Sequence, residues 1–298
     1  MGNDFTNFFW EIARAILAER DPYSVAGNVY PPAACLSFVV FGLLPKTFAA
    51  IAWLLFNVSL FARQALRGTR GTKIPLVWLG YTPLLFTFVS GQLDFFLWWL
   101  ALFLDDDQWY APLLAALITL KPQAALILLP VVLITWLRKN RVLLLKFAGY
   151  CAVLHSLPLL YDVHIYRHWL ESLSQRADLY YAGSPGLFSL SILGLSVWVI
   201  IPIAVAVAAL GFFLGKSGSL QAIVLALPFG TWYNSVLLMG SAPWQLLILC
   251  SWLALILSYV LRGTYPFLII PLAALVWTLI EKRKKDILEL TLGHTEQT

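Results

Sequence analysis

The fold class is decided by stretches such as residues 187–214, which read LFSLSILGLSVWVIIPIAVAVAALGFFL and contain no acidic or basic side chain. A helix crosses the hydrocarbon core of a membrane with about 20 predominantly apolar residues, so this run is long enough. Of the 298 residues, 60% are of the types AVILMFWYC and only 12% are charged. Soluble domains contain about 45–50% and about 25% of these classes. We therefore predict an all-α polytopic membrane protein and exclude a soluble one.

The net charge and the cysteines exclude two further classes. A formal charge of +5 would suggest a nucleic-acid partner in a soluble chain, but here the basic residues flank apolar blocks, where they report orientation. We predict no nucleic-acid partner. The cysteines Cys35, Cys151 and Cys250 stand singly in apolar stretches without metal-ligand spacing. We predict no metal site and no other cofactor.

The apolar blocks are interrupted by polar or helix-breaking residues at three places. The interruptions are Ser90-Gly91-Gln92, Lys121-Pro122-Gln123 and the sequence PFGT at 228–231. Irregular backbone at membrane depth survives only where it is buried in protein or lines a water-filled cavity. The interruptions therefore predict either functional cavities or tight hairpins between short helices.

Basic clusters at 63–73, 138–146 and 282–285 set the predicted orientation, because Lys and Arg near span ends favour the cytoplasmic side. If all three clusters are cytoplasmic and each interruption is a hairpin tip, the chain forms a bundle of about eleven transmembrane helices, several of them short or broken. The predicted regions are an extracytoplasmic juxtamembrane segment (1–46), a transmembrane domain (47–280) with an outer loop (162–186), and a cytoplasmic basic tail (281–298).

Two segments outside the spans have the apolar spacing of interfacial helices. Residues 4–20 place Phe5, Phe9 and Ile12 on one face, which predicts an amphipathic helix lying in the membrane interface. The loop 162–186 has a similar ridge at helical spacing. The apolar run 33–44 is short for a span, and we predict a juxtamembrane or re-entrant helix that ends before Pro45.

Two acidic residues, Asp4 and Asp94, occupy positions that suggest a function. Asp4 begins the first helix, where it could serve as a general base or simply as an N-cap. Asp94 precedes the strongly apolar run FFLWWLALFL. A carboxylate so near hydrocarbon indicates function by default, and the alternative is again a cap stabilised by the helix dipole.

Lys121 is an isolated cation within ALITLKPQAALILLP, residues 116–130. It must snorkel, pair with an acid, or hold an anion such as a phosphate. In the loop that follows the next spans, Arg167, His168 and Arg176 surround the apolar ridge. These side chains could bind a lipid phosphate or form a general headgroup-attracted face.

An ordered set of short motifs resembles glycosyltransferase family 87, whose members are membrane-embedded sugar transferases of the GT-C architecture. The resemblance covers most of residues 3–240. The motifs, in chain order, are DFTNFFWEIARAIL, DPY, VYPP, LLP, AWLLFN, GQLDFFLWWLAL, LITLKPQAALILLP and LPFGTWYNSVLL.

The resemblance implies an inverting enzyme that uses a polyprenyl-phosphate-sugar donor, with mannose as the family-weighted sugar, and a lipid or glycan acceptor. It implies a multi-pass protein of the plasma membrane with its active site on the extracytoplasmic face. By this resemblance Asp4 is the catalytic base. The predicted donor-phosphate residues are Lys121, Gln92, Asp94, Arg167 and Arg176, and the predicted acceptor-pocket residues are Tyr30, Gln123 and His168.

Two departures from the family pattern keep alternatives open. The family has a transmembrane helix before the Asp-containing loop, whereas three residues precede Asp4 here. We expect either that the helix is encoded upstream of Met1 or that this member lost it. The family often has Asn where Asp94 stands. A lipid-linked-sugar flippase and a noncatalytic relative remain the alternative functions.

Overall fold

The computed structural model describes residues 4–68, 74–104, 108–175, 184–228 and 231–295, with side chains to residue 289. Over these ranges the chain is helical and contains no strand. The helices of the first part are α1 (Trp10–Leu17), α2 (Pro32–Ser37), α3 (Val39–Gly42), α4 (Lys46–Leu66), α5 (Thr82–Ser90), α6 (Asp94–Ala101), α7 (Ala111–Ile118), α8 (Pro122–Leu128), α9 (Pro130–Lys139), α10 (Arg141–Ser156) and α11 (Ile165–Ser174). Those of the second part are α12 (Val197–Phe213), α13 (Gly215–Ala226), α14 (Trp244–Leu261) and α15 (Ile269–Thr295).

Shorter helical turns connect these elements. A π-helix at Phe5–Phe9 leads into α1. The 3₁₀ turns are Pro22–Ser24, Leu76–Gly80, Leu157–Leu160, Leu187–Leu193, Trp232–Leu238 and Tyr265–Leu268. The chain divides into two compact units, residues 1–179 and residues 180–298.

Four helical segments are long and apolar enough to cross a membrane: α4, Arg141–Leu160, α14 and Tyr265–Glu289. Two bent pairs raise the number to as many as six in the described part of the chain, if each pair is one span. The protein is therefore a helical membrane protein, as its composition predicts.

Two of the predicted interruptions are breaks between helices, and one of them coincides with a bent pair; the other bent pair, α8 and α9, bends by 54° at Leu129. Helices α5 and α6 meet at an angle of 117° across the Gly91-Gln92 turn, so the chain reverses there. Helix α7 ends at Ile118, and α8 begins at Pro122, directly after Lys121. The third interruption falls partly on residues 229–230, outside the described residues.

The count of eleven crossings is not confirmed. A count of eleven requires the short segment 231–241 to cross the membrane, but the structure has a 3₁₀ turn of seven residues there, Trp232–Leu238. At about 2.0 Å per residue, such a turn is far shorter than a hydrocarbon core of about 30 Å. A crossing at this place is not supported.

The amphipathic helix at the N-terminus forms, but it buries its apolar face against protein. Phe5, Phe9 and Ile12 are almost completely buried, and α1 packs mainly on α3. The aromatic rings interlock, with Phe9 stacked on Phe38 at 4.1 Å between centroids. Periodicity predicts an apolar face correctly, but the same face can meet lipid or protein. Here protein contact fixes the position of the chain's first acid.

Candidate active site

The side chain of Gln92 lies at the centre of a polar cluster in the first unit. Its amide nitrogen donates to Asp4 Oδ2 at 2.5 Å. Its amide oxygen accepts from the Tyr30 hydroxyl at 3.1 Å and from Lys121 Nζ at 3.5 Å. Gln92 is only 2% exposed, so these bonds satisfy polar atoms that water cannot reach. One buried amide therefore links the first acid of the chain to the mid-sequence lysine.

Lys121 forms a buried ion pair with Asp94. Lys121 Nζ lies 2.6 Å from Asp94 Oδ2, and the two side chains are 5% and 0% exposed. Asp94 is the first residue of α6, and Lys121 immediately precedes α8. Each residue therefore occupies a helix start created by an interruption. The sequence allowed Lys121 to snorkel, to pair with an acid or to bind an anion, and the structure shows the pairing with an acid.

Asp4 is half-buried and does not act as an N-cap. It precedes the π-helix, yet its side chain makes no capping hydrogen bond. Within the part of the chain that the structure describes, the carboxylate contacts the Gln92 amide rather than a cation. Asp4, Asp94 and Lys121 together have a formal charge of −1. The lysine is neutralised by Asp94, which leaves Asp4 as the negative group of the cluster.

Close packing of the N-terminal π-helix against Gly91 brings Asp4 to Gln92. Gly91 has φ of +78°, a left-handed conformation that glycine adopts without strain. The Gly91 carbonyl accepts from Trp53 Nε1 at 2.9 Å, and the Trp53 ring stacks on Phe5. The π-helix thus lies directly against the turn between α5 and α6. This packing places Asp4, one residue before Phe5, beside Gln92.

We expect the substitution Gly91→Ala to destabilise the protein by about 2–3 kcal/mol and to lower its activity. A Cβ at this position would lie 2.6 Å from Phe5 Cβ, and a left-handed conformation costs a residue with a side chain about 1–2 kcal/mol. Thermal unfolding in detergent measures the effect. Gly149→Ala is the matched control, because a Cβ on Gly149 meets nothing within 4 Å. Equal melting temperatures for the two variants would contradict the close approach.

Tyr30 is positioned by a second buried group of side chains. The Tyr23 hydroxyl donates to the Tyr30 carbonyl at 2.9 Å, and Asn28 donates to the Pro22 carbonyl at 2.9 Å. Burial raises the pKa of the Cys35 thiol from 9.0 to about 11. Burial, together with the nearby Cys35, also raises the pKa of the Tyr23 hydroxyl. Tyr23 therefore keeps the proton that it donates, and this segment acts as a rigid support for Tyr30.

Of the remaining predicted site residues, Arg167 and His168 pair with other side chains. Arg167 pairs with Glu171 at 2.8 Å, and both side chains are well exposed. His168 Nδ1 lies 3.3 Å from Asp21 and 3.5 Å from Asp162. Gln123 is half-buried on the first turn of α8. Arg176 lies outside the described residues. The structure thus gathers five predicted residues: Asp4, Tyr30, Gln92, Asp94 and Lys121.

This arrangement contains groups that are able to take part in acid–base chemistry and in the stabilisation of negative charge. A carboxylate held by an amide can accept a proton, and an ammonium that contacts the same amide can stabilise a developing negative charge. The fold and this cluster define a membrane-embedded protein with a charged site among its helices.

Comparison with known proteins gives the family. The family model for glycosyltransferase family 87 matches residues 28–227, which is more than half of the chain. The protein belongs to this family, a family of membrane glycosyltransferases. No curated protein and no solved structure shows a significant match. The matched range includes Tyr30, Gln92, Asp94 and Lys121, whereas Asp4 precedes it. The evidence for Asp4 is therefore its own hydrogen bond to Gln92.

Proposed function

We propose that this protein transfers a sugar, with mannose as the first candidate, from a polyprenyl-phosphate donor to a lipid or glycan acceptor. The observation that carries the proposal is the hydrogen bonding of both Asp4 and Lys121 to the buried side chain of Gln92. A base and a cation held by the same amide can act in one reaction. The base acts on the acceptor hydroxyl, and the cation acts on the departing phosphate. A donor that resides in the bilayer also suits a site formed by helices of a membrane protein.

In the proposed reaction Asp4 removes the proton from an acceptor hydroxyl. The hydroxyl oxygen attacks the anomeric carbon and forms the new glycosidic bond. The bond between the anomeric carbon and the phosphate oxygen breaks, and the polyprenyl phosphate leaves with the electron pair. A single displacement of this kind inverts the anomeric configuration. Gln92 acts as a positioning residue, since its amide holds one carboxylate oxygen of Asp4.

Lys121 stabilises the departing phosphate in this scheme. Negative charge grows on the phosphate as the bond breaks, and a preorganised cation acts most strongly on charge that develops in the transition state. An isolated buried ammonium would be costly, and the Asp94 carboxylate offsets that cost before the donor binds. Asp94 is therefore a positioning residue that keeps the ammonium beside Gln92.

The charge distribution of the sequence favours an extracytoplasmic reaction at the plasma membrane. The basic residues near the spans favour the cytoplasmic side. With the clusters at 63–73 and 138–146 cytoplasmic, the segment 1–46 and the two interruptions face outward. All five members of the cluster lie in the segment 1–46, in these two interruptions or, for Asp94, at the start of the helix that follows the first interruption.

The experiment is transfer by the full chain in proteoliposomes. We expect radiolabelled mannose to move from polyprenyl-phosphate-mannose to candidate lipid acceptors, and we expect no transfer from a soluble nucleotide sugar. Translocation of the labelled donor across the bilayer without product would instead favour a flippase. Transfer from the nucleotide sugar alone would overturn the lipid-linked donor. Boiled protein and empty liposomes provide the baseline.

A further inference from the structure

In the second unit, the apolar stretches of helices α12 and α15 end close to each other. Helix α12 is apolar up to Phe213, where it ends. Helix α15 is apolar up to Ile280, and a charged segment, EKRKKD, begins at Glu281. Lys282 Nζ donates to the Phe213 carbonyl at 2.9 Å, which joins the two transitions. Basic residues of a membrane protein cluster next to the ends of its spans, so a boundary between membrane and water is expected near this contact.

A pocket of about 370 Å³ opens at this boundary. Three lysines line it: Lys216 from the start of α13, and Lys282 and Lys285, one turn apart on α15. The hydroxyls of Ser217, Ser241 and Thr278 also line it. Cations and hydroxyl donors converging from separate helices are the groups that bind phosphate oxygens. The volume lies within the range of small-ligand sites, about 300–1,000 Å³.

The charge balance of the pocket favours an anion. Glu281 is the acidic side chain of the lining, and its Oε1 lies 3.2 Å from Nζ of Lys284, which offsets it. The lining lysines outnumber this carboxylate by three to one. Trp277 supplies an apolar wall, and its ring is typical of the interfacial zone where lipid headgroups lie. The combination fits a ligand with a phosphate at one end and an apolar body.

We propose that this pocket binds the phosphate headgroup of an anionic membrane lipid, independently of sugar transfer. Lys216 and Lys285 contact the phosphate oxygens, together with the pocket hydroxyls. Lys282 keeps the pocket in shape, because it bonds the last carbonyl of α12, where a helix dipole favours a cation. The apolar part of the lipid continues along the adjoining helices. A soluble phosphate compound has the same anionic chemistry and is the second source to be distinguished.

The test compares lipid retention by variants of the full chain. The protein is placed in phosphatidylcholine nanodiscs that contain a minor fraction of phosphatidylglycerol, and lipid that remains bound after mild detergent extraction is measured by native mass spectrometry. We expect wild type to retain phosphatidylglycerol in preference to phosphatidylcholine. We expect the double variant Lys216→Gln/Lys285→Gln to bind it about 30-fold more weakly, equivalent to about 1 kcal/mol for each lysine.

The matched control is Lys139→Gln/Arg283→Gln, which removes two exposed positive charges outside the pocket lining. This control should retain phosphatidylglycerol as wild type does, and both double variants should keep the wild-type melting temperature. Inorganic phosphate and pyrophosphate are titrated in parallel. Pocket-dependent binding of these ions without lipid retention would assign the site to a soluble phosphate. Equal lipid retention and equal phosphate binding in both double variants would overturn the proposal.

Discussion

The variant Asp4→Asn is expected to lose transfer activity by about 10²–10⁴-fold, the range that a general base supplies, while it remains folded. An asparagine has nearly the same shape as aspartate, and its side-chain oxygen can still accept the hydrogen bond that Gln92 donates at 2.5 Å in the wild type. What the variant loses is a carboxylate that can take a proton from the acceptor hydroxyl. The turnover rate should therefore fall, with little change in the KM for the donor.

The matched control for this variant is Glu11→Gln, a second removal of a carboxylate charge from the same N-terminal segment. Glu11 pairs with Lys46 at 2.9 Å, and both side chains are 40% exposed. Such pairs contribute about 0–1 kcal/mol, so Glu11→Gln should keep wild-type turnover. Turnover by Asp4→Asn equal to that of Glu11→Gln would remove Asp4 from the mechanism.

The interruptions of the apolar blocks were predictable because local chemistry determines them. Proline at 122 cannot donate to a helix ladder, and glycine at 91 adopts the left-handed turn without strain. Both interruptions therefore appear in the structure at the places that the sequence predicts. The number of crossings was less predictable, because it depends on how each short helix packs and not on hydropathy alone.

In contrast, the sequence does not predict which residues pair with each other within the candidate site. Lys121 and Asp94 are 27 positions apart, and each is a charge in an apolar surrounding. Their isolation indicates that each needs a partner, but hydropathy does not say which. Arg167 has a partner close in sequence, because Glu171 lies four positions later on the same helix, and the two pair on an exposed surface.

The lysine pocket of the second unit was not predictable from the sequence for a related reason. Lys216 lies far in sequence from Lys282 and Lys285, and the basic run 282–285 reads only as an orientation signal. Helix packing brings Lys216 to one face of α15. A convergence of this kind is visible only when the tertiary contacts of α13 and α15 are known.

The variant Lys121→Met is expected to destabilise the protein by about 3–5 kcal/mol, because it leaves the Asp94 carboxylate buried without a cation. Asp94→Asn, which leaves the lysine unpaired, should have a comparable cost. The double variant Asp94→Asn/Lys121→Met removes both charges and should recover most of the lost stability. Thermal or denaturant unfolding in detergent measures all three. The exposed pair formed by Glu11 and Lys46, removed in the same way, should show a coupling of at most about 1 kcal/mol.

Activity then separates a structural role of Lys121 from a functional one. The double variant recovers stability but still lacks the ammonium. If the ammonium stabilises the departing phosphate, this variant should transfer sugar about 10²–10³-fold more slowly, as when one charge-stabilising donor is removed. Asp94→Asn keeps the cation and should lose less activity at a temperature where it is folded. A double variant that regained wild-type transfer together with stability would show that the ion pair only holds α6 and α8 in place.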